Sequence, residues 1–461
     1  MAQFAAAESY WSSFPETYRA EQIATIARWI AIGDSGVVIG GSGTGKSNIA
    51  GYINARGDVM AQRLPAQIES CCFLHLDVNS LPVVTSASFY RAMLQSLCLN
   101  GSELVPQLSD ELLALLSKIP AGDDSLALYF SLLRAHQLLI QRAGKRVIWL
   151  IDRFDEACKK LEAGTLNGMR SLRDQFKGRL SYVVFTRLPL ARLRNPAEFD
   201  EFHEIMVRNS CWVGPMVQRD AEWIAAQMAE RYGTSFGAGD VATLLAITGK
   251  LPAFMKAACA ALAEGQLASK ATPEEWVKRL LAQSVFQRNC QEIWNDCTEV
   301  EQTLLRSLAS QTLPTQAASE ESALLEAMGL VVKDSEQGKL RIFSPIFAAF
   351  VKQQSNALPG AITLDERTGT VLRNGTALND ELTQLEIRLL AYFLRHVDEL
   401  CEKDALIRQI WPDEKVVEGV RDDSLAQLIK RLRDKLETKD SAHNYIQTVR
   451  GRGYRFVQAV S

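Results

Sequence analysis

The sequence contains few of the patterns that mark a secreted, zinc-binding or membrane-spanning protein. Its nine cysteines are scattered without a Cys-x-x-Cys pair, an odd number cannot all form disulfides, and the five histidines are dispersed. No run approaches the roughly 18 apolar residues of a membrane span, and the N-terminus lacks the basic segment and the long apolar core of a signal peptide. These absences predict a reduced, cytoplasmic protein without a structural zinc site and without contact with a membrane.

Neither a repeat nor a strong charge imbalance is present. The sequence contains no array with the roughly 20–50-residue period of repeat proteins, and its formal net charge is only −3. This charge disfavours non-specific coating of nucleic acid by the whole chain, although it allows a local basic patch. Hydrophobic residues make up 47% of the 461 positions and charged residues 23%, which is typical of globular proteins, and the length predicts about three or four domains.

The most informative stretch is rich in glycine and begins at residue 40. It lies between an apolar run at residues 37–39 and a helical pattern at residues 48–53, and it consists of Gly40, Gly41, Ser42, Gly43, Thr44, Gly45, Lys46 and Ser47. Glycines let consecutive backbone N–H groups converge on anionic oxygens, Lys46 can face the β- and γ-phosphates, and the hydroxyl of Ser47 can bind Mg²⁺. A chance match is disfavoured because strand, loop and helix follow in the required order. The stretch predicts a site for ATP or ADP with Mg²⁺.

Two later apolar runs end beside charged residues. Residues 147–151 are apolar up to Asp152, which is typical of a parallel strand covered on both faces, and residues 182–186 are followed by Arg187. In a doubly wound parallel sheet both ends lie beside the glycine-rich stretch. We therefore expect Asp152 to hold Mg²⁺, and Asp155 or Glu156 to orient or deprotonate a water beside the γ-phosphate. We expect Arg187 to sense that phosphate.

Simpler interpretations of these residues stay open. The acids after the strand can merely begin a helix, where the helix dipole favours negative charge, and Arg187 can pair with Asp155. Upstream, a helical pattern runs from about residue 18 to residue 32. Since a helix in this position commonly borders the nucleotide base, Tyr18 and Arg19 either line an adenine pocket or belong to a surface helix packed on the sheet.

Beyond residue 215 the pattern changes from alternating strands and helices to helices alone. Helical spacing recurs over residues 219–232, 239–247, 252–264 and 273–285, and Pro252 suits the first turn of a helix. From residue 298 two helices and a hairpin predict a small winged-helix domain. The predicted domains are residues 1–212 (nucleotide-binding core), 213–297 (helical domain), 298–353 (winged helix), 354–360 (linker) and 361–461 (C-terminal domain).

The C-terminal segment predicts a second winged helix. Thr383 and Glu386 have the spacing of a capping box that opens a helix, further helices are expected at residues 402–410 and 422–436, and a hairpin with its tip at residues 450–453 follows. The third of these helices carries one apolar stripe, formed by Leu425, Leu428, Ile429, Leu432 and Leu436.

The charge of this segment indicates its partner. Between Lys430 and Arg455, eight basic residues stand against three acidic ones. They cluster on the third helix and the hairpin tip, the two elements that would meet a DNA duplex. The alternative is a solvated helix beside a glycine-rich turn. We predict contacts with double-stranded DNA from Gln427, Lys430, Arg431, Arg433, Arg450 and Arg452.

The first 350 residues resemble the STAND class of P-loop ATPases, relatives of AAA+ proteins, through GGSGTGKS, VIWLIDRFDEA, VVFTR and TGKLP. The resemblance implies a core, a helical domain and a winged helix that clamp ADP or ATP. By the class pattern, Lys46 and Ser47 are the phosphate and metal residues, and Asp152 is the acid that holds the metal. Glu156 would activate the water, Arg187 would be the sensor, and Pro252 would contact adenine. Arg153 departs from the class, which usually has a small or acidic residue there, and this departure concerns hydrolysis more than nucleotide binding.

Residues 361–461 resemble the OmpR/PhoB winged-helix domain over their whole length, with YIQTVRGRGYRF as the most specific part. The resemblance implies that Arg431 contacts bases in the major groove and that Arg450 enters the minor groove. It also implies phosphate contacts from Ser424, Lys430 and Arg433. The ATPase-like segment stands where that family has a phosphoacceptor receiver domain, so we expect the ATP state to replace aspartyl phosphorylation as the input.

Three functions are compatible with this organisation. The first is an ATP-controlled, sequence-specific transcription regulator that is closed with ADP and that opens and self-associates with ATP. The second is a DNA-processing ATPase, as in replication initiation, transposon targeting or defence, with the winged helix as an anchor. The third, a scaffold whose C-terminal domain binds protein, is disfavoured by the basic hairpin tip. No pattern identifies the activating ligand or protein.

Overall fold

The computed structural model describes most of the chain and divides it into two compact units. The first unit comprises residues 1–304 and 313–348, and the second comprises residues 305–312 and 349–461. The described residues are 8–119, 124–268, 271–310, 320–333, 339–355, 362–365, 370–373, 376–378, 382–411, 420–436 and 445–457.

The first unit is built on a sheet of five parallel strands, β1 to β5. In chain order they are Gly36–Ile39, Cys71–Asp77, Arg146–Asp152, Leu180–Thr186 and Ser210–Trp212. Their order across the sheet is β2-β3-β4-β1-β5, so β4 lies between β1 and β3. The carboxyl ends of β1, β4 and β3 therefore lie side by side, which brings the glycine-rich stretch, Arg187 and Asp152 to one edge.

Hydrophobic clusters cover both faces of this sheet. Along β3, Ile148 and Leu150 belong to one cluster, whereas Val147, Trp149 and Ile151 belong to the other. This alternation confirms the doubly wound parallel sheet expected from the sequence. The helices of this part are Glu8–Trp11, Ala20–Ile32, Lys46–Ala55, Gly57–Arg63, Ser86–Leu104, Ser109–Ser117, Ser125–Gln137, Phe154–Lys160, Ala163–Gln175, Leu190–Leu193 and Asp200–Val207.

The described residues between 213 and 355 are mainly helical, and strands β6 (Val331–Lys333) and β7 (Leu340–Ile342) form an antiparallel hairpin among them. The helices are Gln218–Arg231, Ala238–Thr248, Pro252–Ala263, Pro273–Leu281, Ser284–Asn295, Glu299–Ser310, Glu320–Ala327 and Pro345–Ser355.

Two expectations for these residues were wrong. The sequence predicted one helix over residues 273–285, but the chain forms two, because Gln283 adopts an extended conformation and a new helix starts at Ser284. Gln354 and Ser355, which were assigned to the linker, continue the helix Pro345–Ser355. The remainder of the predicted linker lies outside the described residues.

The second unit contains two small antiparallel sheets and three helices in its C-terminal part. Strands β8 (Ile362–Asp365), β9 (Thr370–Arg373) and β10 (Thr376–Ala377) form one sheet, with β9 in the middle. Strands β11 (Leu400–Glu402), β12 (Ile446–Val449) and β13 (Gly453–Phe456) form the other, with β13 in the middle. The helices are Gln384–Arg395, Lys403–Ile410 and Val420–Leu436.

This arrangement confirms the C-terminal winged-helix fold. The predicted capping box is present: Thr383 Oγ1 accepts a hydrogen bond from the N–H of Glu386, whose carboxylate accepts one from the N–H of Thr383 at 2.7 Å. All five residues of the predicted apolar stripe are buried in the core of this domain. In the parts of the chain that the structure describes, no helix has both the length and the apolar character needed to cross a membrane.

Candidate phosphate cleft and basic surface

The glycine-rich stretch forms a tight loop that leads directly into a helix. Gly43 and Gly45 have φ angles of 76° and 89°, and the helix begins at Lys46. A Cβ atom on Gly43 would lie 2.6 Å from the Cβ of Ala253. Glycine is therefore required there both by the left-handed backbone and by the close approach of a second segment. We call residues 40–47 the phosphate loop.

Lys46 folds back onto its own loop. Its Nζ donates hydrogen bonds to the carbonyl oxygens of Gly40 and Gly41, the latter at 3.1 Å. Burial lowers the pKa of Lys46 to about 8, although the carboxylates of Asp155 and Asp152 act in the opposite direction. The ammonium is thus held by neutral carbonyl groups in a poorly solvated position, where an anionic phosphate oxygen would be a stronger partner.

The acids after β3 occupy different environments. Asp152 is buried and accepts a hydrogen bond from the N–H of Arg153 at 2.9 Å. Asp155 is also buried, which raises its pKa, and it accepts a hydrogen bond from the backbone N–H of Arg187 at 2.8 Å. Glu156 is more exposed and pairs with Lys160 at 2.8 Å, which lowers the pKa of Glu156. Glu156 is therefore an ionised carboxylate at neutral pH.

The phosphate loop, the acids and Arg187 line one cleft of about 720 Å³. We call it the phosphate cleft. Its lining residues are Ser42, Gly43, Gly45, Lys46, Ser47, Asn48, Asn79, Asp152, Arg153, Asp155, Glu156, Arg187, Pro252, Ala253, Lys256 and Glu292.

The residues of the cleft fit a nucleoside phosphate with Mg²⁺. The hydroxyl of Ser47 and the carboxylate of Asp152 line the same cleft, and such oxygen donors suit Mg²⁺. Among the described residues, no group of three or more His, Cys, Asp or Glu side chains forms a ready metal site.

Helical residues beyond β5 complete the cleft, and the sequence did not predict most of them. Pro252 was predicted, whereas Lys256 and Glu292 were not. The hydroxyl of Ser42 donates a hydrogen bond to the carboxylate of Glu292. The side chain of Arg187 pairs with Asp296 at 3.0 Å rather than with Asp155. No short motif marks these partners, because folding brings them to the cleft from more distant parts of the sequence.

Tyr18 and Arg19 are buried and are absent from the residues that line the phosphate cleft. Tyr18 packs against the rings of Phe14 and Tyr52, with centroid distances of 5.0 and 5.4 Å. The Arg19 guanidinium donates hydrogen bonds to the carbonyl oxygens of Thr44 at 2.8 Å and Pro215 at 3.0 Å. These contacts fasten the phosphate loop to the start of the helical region, and the adenine contact stays a prediction.

The third helix of the winged-helix domain, Val420–Leu436, presents polar residues on the side opposite its buried stripe. Ser424, Gln427, Lys430 and Arg431 are exposed. Arg433 is only half-buried, and its guanidinium donates hydrogen bonds to the carbonyl oxygen of Ile446 and the hydroxyl of Thr448, each at 2.7 Å. Arg433 thus joins this helix to β12, a role that the sequence did not predict.

The tip of the hairpin between β12 and β13 carries exposed Arg450 and Arg452. Gly451 between them has a φ angle of 70°, so the tight turn favours glycine. With the exposed side of the third helix, this tip forms what we call the basic surface: Gln427, Lys430, Arg431, Arg450 and Arg452.

Comparison with known proteins identifies the type of the C-terminal domain. Residues 379–456 match the family described as "Transcriptional regulatory protein, C terminal". Over 112 residues the chain is 33% identical to the two-component response regulator PhoP of Pseudomonas aeruginosa, a match covering 24% of this chain and 46% of PhoP. Over 96 residues it is 34% identical to the transcriptional regulatory protein AfsQ1 of Streptomyces coelicolor, covering 21% of this chain and 40% of AfsQ1. The chain spans less than half the length of these relatives.

A larger part of the chain is similar to the solved structure of a Walker-type ATPase of Pyrococcus abyssi. The match has 12% sequence identity and a TM-score of 0.47, and it covers 72% of this chain and 95% of that protein.

Proposed function

We propose that this chain, which joins a P-loop ATPase-like fold to a winged-helix domain of the transcriptional-regulator type, is an ATP-controlled, sequence-specific DNA-binding regulator. The observation that carries the proposal is the match of residues 379–456 to transcriptional regulatory proteins, in a chain whose other unit contains a phosphate cleft with Lys46, Ser47 and Asp152. These two features support an input that depends on nucleotide and an output on DNA.

Within the phosphate cleft, each residue has a proposed task. Lys46 and the backbone of the phosphate loop bind the β- and γ-phosphates, while Ser47 and Asp152 hold Mg²⁺. Arg187 senses the γ-phosphate. Glu156, ionised and at the cleft wall, accepts a proton from water, with Asp155 as the second candidate. Bound Mg²⁺·ATP would supply the terminal phosphate and its charge. Pro252 and, less directly, Tyr18 and Arg19 are proposed to lie near the base.

On the DNA, the basic surface divides into two parts. We propose that Arg431 contacts base edges in the major groove and that Lys430 approaches the phosphates. Ser424 and Arg433, which lie on the same helix but outside the basic surface as defined above, are proposed to approach the phosphates as well. Arg450 and Arg452 at the hairpin tip are proposed to enter or border the minor groove. This division is supported by the exposure of Lys430, Arg431 and Arg450 and follows the usual separation between positioning and base-reading contacts.

We further propose that ADP favours a closed form and ATP an open form that self-associates, as in the STAND class that the sequence resembles. Self-association would align several DNA-binding domains. Linked sites increase overall avidity by roughly 10²–10⁴ without any new contact. A switch from one copy to several would therefore be sufficient to separate an inactive from an active regulator.

Nuclease footprinting of the full-length protein tests the proposal. We expect protection of a defined operator in the presence of ATP, weaker protection with ADP, and no difference between nucleotides for Lys46→Ala, which lacks the cation facing the phosphates. Chromatography of the denatured protein reports which nucleotide it carries. ATP-dependent protection that spreads along any duplex would instead favour a DNA-processing ATPase.

A further inference from the structure

The helix Ser284–Asn295 and the residue that follows it place one carboxylate, of Glu292, in the wall of the phosphate cleft and a second, of Asp296, against Arg187, which also lines the cleft. Glu292 lines the cleft, and its carboxylate accepts a hydrogen bond from the hydroxyl of Ser42 in the phosphate loop. Asp296 accepts hydrogen bonds from Nη2 and Nε of Arg187 at 3.0 and 3.2 Å. One segment therefore contacts both the loop and the predicted phosphate sensor.

The pair between Arg187 and Asp296 is well placed to compete with a phosphate. The side chain of Asp296 is only 11% exposed, whereas that of Arg187 is 41% exposed. Arg187 also lines the cleft, so one guanidinium faces both the carboxylate and the space for a ligand. A guanidinium that turns its Nε and Nη2 donors to a terminal phosphate gives up its bonds to Asp296, because those are the donors that Asp296 uses.

Glu292 contacts the phosphate loop itself. Its carboxylate lies against Ser42, within the loop whose backbone N–H groups are expected to hold the phosphates. Each added phosphate increases the negative charge within the cleft that this carboxylate lines. In a poorly solvated cleft such repulsion is considerably stronger than in water.

A further contact between the helical region and the loop carries no charge. The backbone N–H of Ala253 donates a hydrogen bond to the carbonyl oxygen of Gly43 at 3.1 Å. This bond is indifferent to the number of phosphates. Within the segment of residues 284–296, we therefore attribute the response to phosphate number to the two carboxylates.

We propose that Glu292 and Asp296 form an acidic latch, which makes the cleft select a nucleoside diphosphate over a triphosphate and which a third phosphate releases. This inference rests on the nucleotide-binding function proposed above. A ligand changes a conformational equilibrium only by its difference in affinity for the two states. The release of the helix Ser284–Asn295 by ATP and the weaker binding of ATP than of ADP thus measure the same free energy, which couples the position of this helix to the number of phosphates bound.

Calorimetry on the full-length protein tests the latch, with ADP and a non-hydrolysable ATP analogue as probes in the presence of Mg²⁺. Glu292→Gln and Asp296→Asn keep the shape of each side chain but remove its charge. For both variants we expect the affinity for the ATP analogue, relative to ADP, to increase by about 5–150-fold, the usual range of coupling between linked equilibria. Glu274→Gln is the matched control, since Glu274 is exposed on a neighbouring helix and does not line the cleft.

The outcomes separate the latch from the function on which it depends. If the protein binds both nucleotides and the variants leave their affinity ratio within twofold of the parent value, the latch is wrong and the proposed function stands. If the parent protein binds neither nucleotide, the proposed function fails, and the latch fails with it. A general loosening of the structure would lower the affinity for both nucleotides together and leave the ratio of the two affinities unchanged.

Hydrogen exchange of the same segment gives an independent readout. In the parent protein we expect amides of the helix Ser284–Asn295 to exchange faster with the ATP analogue than with ADP, because the third phosphate displaces the carboxylates. In Glu292→Gln and Asp296→Asn this difference should shrink. Equal exchange in the parent protein with the two nucleotides would overturn the latch.

Discussion

The guanidinium of Arg433 donates two hydrogen bonds to the carbonyl oxygen of Ile446, at 2.7 Å from Nη2 and 3.1 Å from Nε. This contact fixes the third helix of the winged-helix domain against strand β12. The hairpin tip and the helix, which together form the basic surface, are thereby held in one geometry. An arginine expected to contact a DNA phosphate thus has a structural role within the domain.

Replacing Arg433 should destabilise the hairpin. Arg433→Ala leaves the carbonyl of Ile446 without its charged donors, and hydrogen bonds to charged groups contribute about 1.5–3 kcal/mol. We expect amides of strands β12 and β13 to exchange roughly 10–150-fold faster in the full-length protein, as measured by hydrogen exchange. Lys430→Ala is the control, because Lys430 is exposed on the same helix. Equal exchange in both variants would show that the contact contributes nothing.

Arg431 and Arg450 should differ in how their loss affects DNA binding. Arg431→Ala is expected to weaken binding to the operator more than to scrambled DNA, since a bidentate contact with a base discriminates by about 1–3 kcal/mol. Arg450→Ala is expected to weaken binding to both DNAs to a similar extent. If one phosphate contact is lost, the slope of the logarithm of the binding constant against the logarithm of salt concentration should also become shallower by about one unit. Titrations at several salt concentrations measure both effects.

A surface arginine elsewhere in the domain provides the control for these variants. Arg395 is exposed at the end of the first helix, and Arg395→Ala removes the same charge. Both test variants should still bind ATP. Equal loss on operator and scrambled DNA for Arg431→Ala would mean that the third helix does not read sequence, and the DNA-processing alternative would then be preferred.

Nucleotide affinity should fall in mildly alkaline solution. Burial lowers the pKa of Lys46 to about 8 in the free protein, and a bound phosphate must raise it, because the anion favours the ammonium form. Binding therefore takes up a proton above this pKa. We expect affinity to be nearly constant around pH 7 and to fall by up to about tenfold per pH unit above pH 8, as measured by calorimetry.

The control for this titration is Lys46→Arg, whose guanidinium stays charged throughout the range. Its affinity is expected to be lower at neutral pH, because the longer side chain does not fit the same loop carbonyls, but nearly independent of pH. A parent protein whose affinity stays constant to about pH 9.5 would contradict the assigned role of Lys46.

Glu156→Gln should retain ATP but lose turnover. An amide cannot accept the proton of the attacking water, and general-base catalysis typically contributes about 10²–10⁴-fold. Single-turnover release of phosphate measures the loss, and the variant should accumulate in the self-associated form. Glu162→Gln is the control, because Glu162 is exposed and does not line the phosphate cleft. Hydrolysis at the parent rate in Glu156→Gln would transfer the role of base to Asp155.

The sequence predicted those parts of the fold whose signal is local. The phosphate loop, strands β1, β3 and β4 and the capping box at Thr383 each depend on neighbouring residues. Strand β5 was missed because it has only three residues and its first is exposed. Such a short segment has no recognisable burial pattern.

In the candidate site, too, the features with a local sequence signal were predicted, and those that depend on distant residues were not. The sequence predicted the loop and the charged residues that directly follow a strand, since topology alone brings strand ends together. It did not predict Glu292 or Asp296, because the apolar spacing continues through Ala282 and Gln283 and conceals the start of their helix. Their position depends on tertiary packing. The second roles of Arg19 and Arg433 were missed for the same reason, since their partners are carbonyl groups of distant segments.

Lys435 of the third helix pairs with buried Glu386 at 2.6 Å, and Arg433 is bound to Ile446, whereas Gln427, Lys430 and Arg431 face outward. The position proposed to contact bases, Arg431, is thus different from the positions that fix this helix to the rest of the domain. This separation suggests an engineering experiment. Gln427, Lys430 and Arg431 can be replaced by the corresponding residues of a relative, while Arg433 and Lys435 are retained. A chimera made in this way should acquire the donor's operator preference and keep its own response to nucleotide.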